Sequence, residues 1–153
     1  MSLFLVQHGE AMPRELDQDR HLTTQGERDV RKIARFLSVT GILIDQIWHS
    51  GKTRALETAR ILNEELQPSE GIIQMGGLAP KDHIGEIVEK LPQTGKNLMI
   101  VGHLPFLDKL CSFLVSGKED RHIAAFTNGC ILCLERSGEH WQILFHVIPD
   151  LLE

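Results

Sequence analysis

A chain of 153 residues, 42% of them hydrophobic, is long enough to bury roughly two-thirds of its unfolded surface around one core. Its 16 Lys and Arg against 21 Asp and Glu give a formal charge of -5, which argues against an extended nucleic-acid footprint or a patch for anionic membranes and leaves only a local anion site. No window approaches ~18 uninterrupted apolar residues and no basic segment precedes an apolar leader, so a single cytoplasmic domain over residues 1–153 is expected.

The first element is Leu3 to Val6, a near-continuous apolar run of the kind expected for a parallel strand covered on both faces. Thr24-x-x-Glu27 reads as a capping box, and Val30, Ile33, Ala34 and Leu37 recur at helical spacing up to Gly41, predicting the first helix. Asp45 to Trp48 is a short second strand. Thr53 to Leu66 is a second helix with Leu56, Ala59, Leu62 and Leu66 on its inner stripe, stopped by Pro68. Residues 67 to 83 read as a Gly- and Pro-rich loop around a short strand, Ile72 to Met75, and a third helix runs from about Ile84 to Leu91. Asn97 to Val101 repeats the pattern of the first strand. Pro105 suits the first turn of a fourth helix, Phe106 to Val115, with Leu107, Leu110, Cys111 and Leu114 inward. Cys130 to Glu135 and Trp141 to Val147 form a hairpin turning at Ser137-Gly138.

Strands and helices alternate until that terminal pair, which predicts a three-layer α/β/α sandwich with a mainly parallel central sheet and an antiparallel edge strand. The three cysteines suit reduced core positions. Cys130-x-x-Cys133 lies inside a strand pattern, where residues three apart face opposite ways, so no metal or redox role is expected of it.

Two of the eight histidines are selected by position. LFLVQHG and LMIVGHLP each place four apolar residues, one intervening residue and then a histidine, His8 and His103. Ligands collect at the carboxyl ends of parallel strands, so the two imidazoles are expected on one sheet edge. Gly9 lets backbone approach a bound group closely. Arg54, at the start of the second helix in SGKTRALETA, is placed near that edge, where a guanidinium can fork onto two phosphate oxygens beside a helix N-terminus.

LFLVQHGEA, RHLTTQG, SGKTRALETA and VGHLP, in this order, resemble the motifs of the histidine phosphatase (phosphoglycerate mutase-like) superfamily, and the short length with RHLTTQG resembles its SixA-type phosphohistidine phosphatases. The resemblance implies that His8 is a nucleophile taking a phosphoryl group, that Arg20, Arg54 and His103 bind its oxygens, and that neither metal nor cofactor takes part. It further implies a role in signal transduction, with a phosphohistidine-bearing protein as substrate and phosphate or another oxyanion in the pocket. A neutral imidazole attacks phosphorus while cations neutralise the equatorial oxygens, so the other nitrogen of His8 should donate to a backbone carbonyl.

Gln7 stands where the family's first motif carries arginine, and it keeps an amide donor without the charge or the fork. The proton donor expected by resemblance is Asp82 in LAPKDH, with Glu10 as a rival. Two other readings stay open: a phosphatase for small phosphate monoesters, and a non-catalytic phosphate-recognition module, which the missing arginine favours.

Overall fold

The computed structural model describes residues 1–153. Six strands form one sheet: β1 (Ser2–Gln7), β2 (Gln46–His49), β3 (Ile72–Gln74), β4 (Leu98–Gly102), β5 (Ile131–Ser137) and β6 (His140–Val147), in the spatial order β3-β2-β4-β1-β5-β6. The first four run parallel, and β5 is antiparallel to both β1 and β6. The antiparallel edge is therefore the terminal pair.

Four helices cover the two faces: α1 (Thr24–Thr40), α2 (Thr53–Leu66), α3 (Gly85–Thr94) and α4 (Phe106–Ser116). The alternation of β1 decides which residues meet which layer. Phe4 and Val6 point into a cluster with Val30, Ile33 and Leu37 of α1 and Leu62 of α2. Leu3 and Leu5 point into the opposite cluster with Ile87 and Leu91 of α3 and Phe106 and Leu110 of α4. Both faces of the central strands are thus covered, which is why β1 and β4 read as unbroken apolar runs.

Several boundaries differ from the sequence expectation, each for a local reason. Helix α1 is capped by Thr23, whose extended backbone lets its side chain accept from the Gly26 N–H at 2.9 Å; Thr24 is already helical. Gly41 closes the helix in the left-handed region, φ 79°. Helix α3 continues through Pro92 to Thr94, although Pro92 has no N–H to donate to the carbonyl four residues back. Pro105 is the cap residue of α4, one position ahead of the first turn. The hairpin turn is Gly138-Glu139, with Ser137 paired to His140 and Gly138 at φ 63°. All three cysteines are free and buried. No helix is long and apolar enough to cross a membrane.

The site is prepared by the junction of β1 and β4. These neighbours are in parallel register, Gln7 opposite Gly102, so the residues that follow, His8 and His103, leave the sheet side by side. After β1 the chain turns to α1 on one face, and after β4 it turns to α4 on the other. Such a parting of connections opens a crevice at the carboxyl ends of parallel strands.

Candidate active site

The imidazoles of His8 and His103 lie with ring centroids 5.0 Å apart, inclined at 52°. His8 N–H bonds to the carbonyl of Gly102, fastening the end of β1 to that of β4. The Nδ1 atom of His8 is 2.8 Å from the carbonyl oxygen of Gly9; since a carbonyl only accepts, Nδ1 carries the proton and Nε2 keeps its lone pair. Burial lowers the His8 pKa to about 4 against the favourable Gly9 carbonyl, and the charges of Arg54 and Arg20 add to the depression. The ring is a neutral base at pH 7 with its free nitrogen defined.

Gly9 is required by packing. A Cβ there would stand 2.9 Å from Val30 Cγ2 and 3.0 Å from the Gly26 carbonyl oxygen, where the chain leaving β1 passes over α1. The Gly9 N–H donates to Thr58 Oγ1 at 3.0 Å, and that hydroxyl donates to the Arg54 carbonyl at 2.8 Å. Helix α2 therefore fixes both the neighbour of His8 and Arg54.

His103 is 1% exposed, and its Nε2 lies 2.6 Å from Ser50 Oγ. Burial first, then the nearby His8, Arg54, Lys52 and Arg20, lower its pKa to about 3. Arg54 is the second residue of α2. Burial and the charges of Arg20 and Arg14 lower its own pKa. Arg20 adopts a left-handed φ of 55° and donates from Nε to the Met12 carbonyl at 3.0 Å. Its loop is shaped by Asp17, which accepts from the backbone N–H groups of Asp19 and His21 at 3.1 and 2.8 Å. Glu57 ties the same loop to α2 by accepting from the Leu22 N–H at 2.8 Å. The net result is a concentration of positive charge beside two neutral imidazoles in a chain that is negative as a whole.

Gln7 is 8% exposed and donates from Nε2 to Asn128 Oδ1 at 2.9 Å. Its backbone carbonyl, and that of His8, accept from the Gly129 N–H at 3.0 and 3.1 Å, so the segment before β5 is docked directly on the motif. Four buried polar side-chain atoms in the protein lack a hydrogen-bond partner, and three belong to this group: Gln7 Oε1, Arg54 Nε and His103 Nδ1. Buried polar groups are normally satisfied, so such a concentration marks a polar recognition site.

The structure brings Gln7, His8, Arg20, Arg54 and His103 together. Neither proposed proton donor is hydrogen-bonded to them. Asp82 is exposed on the loop after β3 and its carboxylate accepts from the Ala79 N–H at 2.9 Å. Glu10 accepts from Thr23 Oγ1 at 2.8 Å and so braces the start of α1. Sequence reasoning missed Ser50, Lys52, Thr58 and Asn128. The first three lie inside the SGKTRALETA run, whose place after β2 was the available signal; Asn128 has no local signal, because its partner is 121 residues away. A cavity of about 500 Å³ between α3, α4 and the β5–β6 hairpin contains neither histidine, so size does not locate the chemistry.

A model of the histidine phosphatase superfamily (branch 1) matches residues 3–79, half of the chain and most of the pocket. The chain belongs to the histidine phosphatase superfamily. It is 33% identical over 131 residues to an uncharacterized protein of Picosynechococcus sp., a match covering 80% of this chain and 78% of that relative. Among solved structures, the protein histidine phosphatase SixA complexed with tungstate superposes with a TM-score of 0.87 at 23% identity, over 100% of both chains. The α-ribazole phosphatase of Shigella flexneri gives 0.77 at 15% identity over 94% of each chain. The phosphoserine phosphatase of Entamoeba histolytica in complex with 3-phosphoglyceric acid gives 0.72 at 17% over 95% of each. At these identities the solved structures establish a shared histidine phosphatase fold, with SixA the most similar of the three.

Proposed function

We propose that this protein is a metal-independent phosphohistidine phosphatase that takes the phosphoryl group of a protein histidine onto His8 and then releases it to water. The observation that carries the reading is the His8–His103 pair, 5.0 Å apart, with the Gly9 carbonyl assigning the His8 proton to Nδ1. In the first step the lone pair of His8 Nε2 forms a bond to phosphorus while the P–N bond of the substrate breaks, and the departing imidazole takes up a proton. In the second, water attacks phosphorus, the bond to Nε2 breaks, and inorganic phosphate leaves with His8 restored.

Arg54, Arg20, His103 and the amide of Gln7 would hold the phosphoryl oxygens, and fixed cations in a partly desolvated site stabilise the charge that spreads over them in the transition state. Asp82 is retained as the proton donor of the proposal, with Glu10 its rival. Imidazole is a better leaving group than an alkoxide, so a phosphohistidine substrate relaxes the demand on that acid more than a phosphate ester would. The fold shared with SixA, which binds tungstate, points the same way. The second reading, a phosphatase for small monoesters, draws on the fold shared with the α-ribazole and phosphoserine phosphatases.

Rapid quench with a labelled phosphohistidine protein tests the proposal: wild type should accumulate acid-labile, base-stable label on His8, and His8→Ala should form none and lose turnover. Turnover by His8→Ala at the wild-type rate would remove the nucleophile from the scheme. Faster turnover of phosphorylated metabolites than of phosphohistidine proteins would favour the monoester reading. Phosphoprotein binding without any labelled enzyme would leave a recognition module.

A further inference from the structure

Ser50 was given no task by the sequence, yet its hydroxyl makes the shortest contact in the site, 2.6 Å to Nε2 of His103. A hydroxyl and a ring nitrogen can meet in either sense, with the proton on oxygen or on nitrogen. The surroundings of Ser50 decide between them. The Lys52 N–H donates to Ser50 Oγ at 3.3 Å, so the oxygen already accepts one hydrogen bond. Ser50 is only half-buried, and the one protein acceptor its hydrogen meets is Nε2 of His103, a pairing that requires that nitrogen to be unprotonated.

Ring position makes this consequential. His103 is 1% exposed and neutral, so it carries one proton for two nitrogens. With Nε2 bare, the proton resides on Nδ1, the atom that is buried in the protein without a partner. We propose that Ser50 is a positioning residue: by donating to Nε2 it holds His103 in the Nδ1–H tautomer, so that a neutral imidazole presents a donor, not a lone pair, to a phosphoryl oxygen. The opposite tautomer would turn the Ser50 hydrogen away from the ring and leave Nδ1 with a lone pair in place of a donor, a repulsive contact for an anion.

The arrangement resolves a difficulty in the site. Burial and neighbouring cations keep His103 from serving as an imidazolium in the free protein, so its contribution to anion binding rests on which nitrogen holds the hydrogen. The chain delivers Ser50 to the task from the end of β2, which pairs with β4 in parallel register with His49 opposite Val101. The two residues at the contact therefore leave adjacent strands at the same edge. Gly51, at φ 89°, then turns the chain so that the Lys52 N–H can come back onto Oγ.

The inference rests on the phosphate-transfer reading for its purpose, but the tautomer can be read without turnover. Long-range ¹H–¹⁵N NMR of wild type at pH 7 should show His103 protonated on Nδ1. Ser50→Ala should move it to the Nε2–H form or to a mixture, with inorganic phosphate affinity and phosphohistidine turnover falling about tenfold, the order of one charge-assisted hydrogen bond. Ser50→Thr, which keeps the hydroxyl, should restore the Nδ1–H signal and most of the affinity. An Nε2–H signal in wild type, or an unchanged Nδ1–H signal in Ser50→Ala, overturns the inference. Should the tautomer follow Ser50 while no phosphohistidine substrate is turned over, the activity reading fails and the positioning role stands.

Discussion

Gln7 stands where the motif resemblance calls for arginine, and the structure shows how a glutamine is accommodated there. The side chain is buried at the end of β1, its amide nitrogen is held by Asn128, and its backbone carries the segment that leads into β5. A glutamine here keeps the scaffold and forgoes a charge. One charge-assisted contact is worth about 1.5–3 kcal/mol, roughly a tenfold to hundredfold in rate if it operates in the transition state. Gln7→Arg is therefore expected to raise both the affinity for inorganic phosphate and the turnover of phosphohistidine by about tenfold or more, since Asn128 Oδ1 can accept from a guanidinium as it does from an amide. Titration calorimetry with phosphate and single-turnover kinetics measure the two quantities. No change in either would mean that Gln7 does not face the anion.

Helix α1 shows how far an element can be positioned by one missing side chain. A Cβ on Gly26 would stand 2.1 Å from the Glu10 carbonyl oxygen, the same oxygen that accepts from the Thr23 N–H at 2.9 Å. The first turn of α1 therefore lies directly on the backbone that follows His8 and Gly9. Gly26→Ala should destabilise the protein by about 3 kcal/mol and depress turnover further by shifting that backbone. Gly85→Ala, at a helix start with nothing within 4 Å of the new Cβ, should cost under about 1 kcal/mol and leave turnover unaltered. Urea midpoints and steady-state rates of the two variants make the comparison, and equal losses would detach the α1 contact from the site. The same helix marks the limit of what the sequence made legible. Its apolar stripe, Val30 to Leu37, follows from burial periodicity and was readable. The cap was displaced by one residue because Thr23 and Thr24 are chemically identical, and the choice falls to a tertiary bond that Thr23 donates to Glu10. β1 and β4 were readable for the same reason as the stripe, and with them the meeting of His8 and His103. Asn128 was not, because its partner lies 121 residues away and no strand-end pattern marks it, whereas Ser50 was missed although its place at the end of β2 set it beside His103.

At the scale of the whole molecule, the buried histidine pair carries a cost in acid that the structure allows to be signed. His8 and His103 have native pKa values of about 4 and about 3 against an ordinary value of 6.5, burial being the main cause in both. His49 and His146 are lowered as well, again chiefly by burial. Each is a base whose folded pKa lies below its unfolded one, so between the two values the unfolded chain binds more protons than the native protein. Stability is then fully present above about pH 6.5 and declines as the pH falls, through about 4 for His8 and about 3 for His103. Each imidazole contributes at most about 1.4 kcal/mol per pH unit inside its window. An oxyanion in the pocket favours the charged imidazoles and raises both native pKa values, which shallows the slope. Urea denaturation from pH 7 to pH 4.5 should show stability falling with acid, less steeply with saturating inorganic phosphate, and less steeply again in His103→Asn, which has no ring to protonate in either state. Identical slopes for wild type and His103→Asn would place the acid sensitivity outside the site, and a slope unaffected by phosphate would mean that the anion does not sit against the imidazole pair.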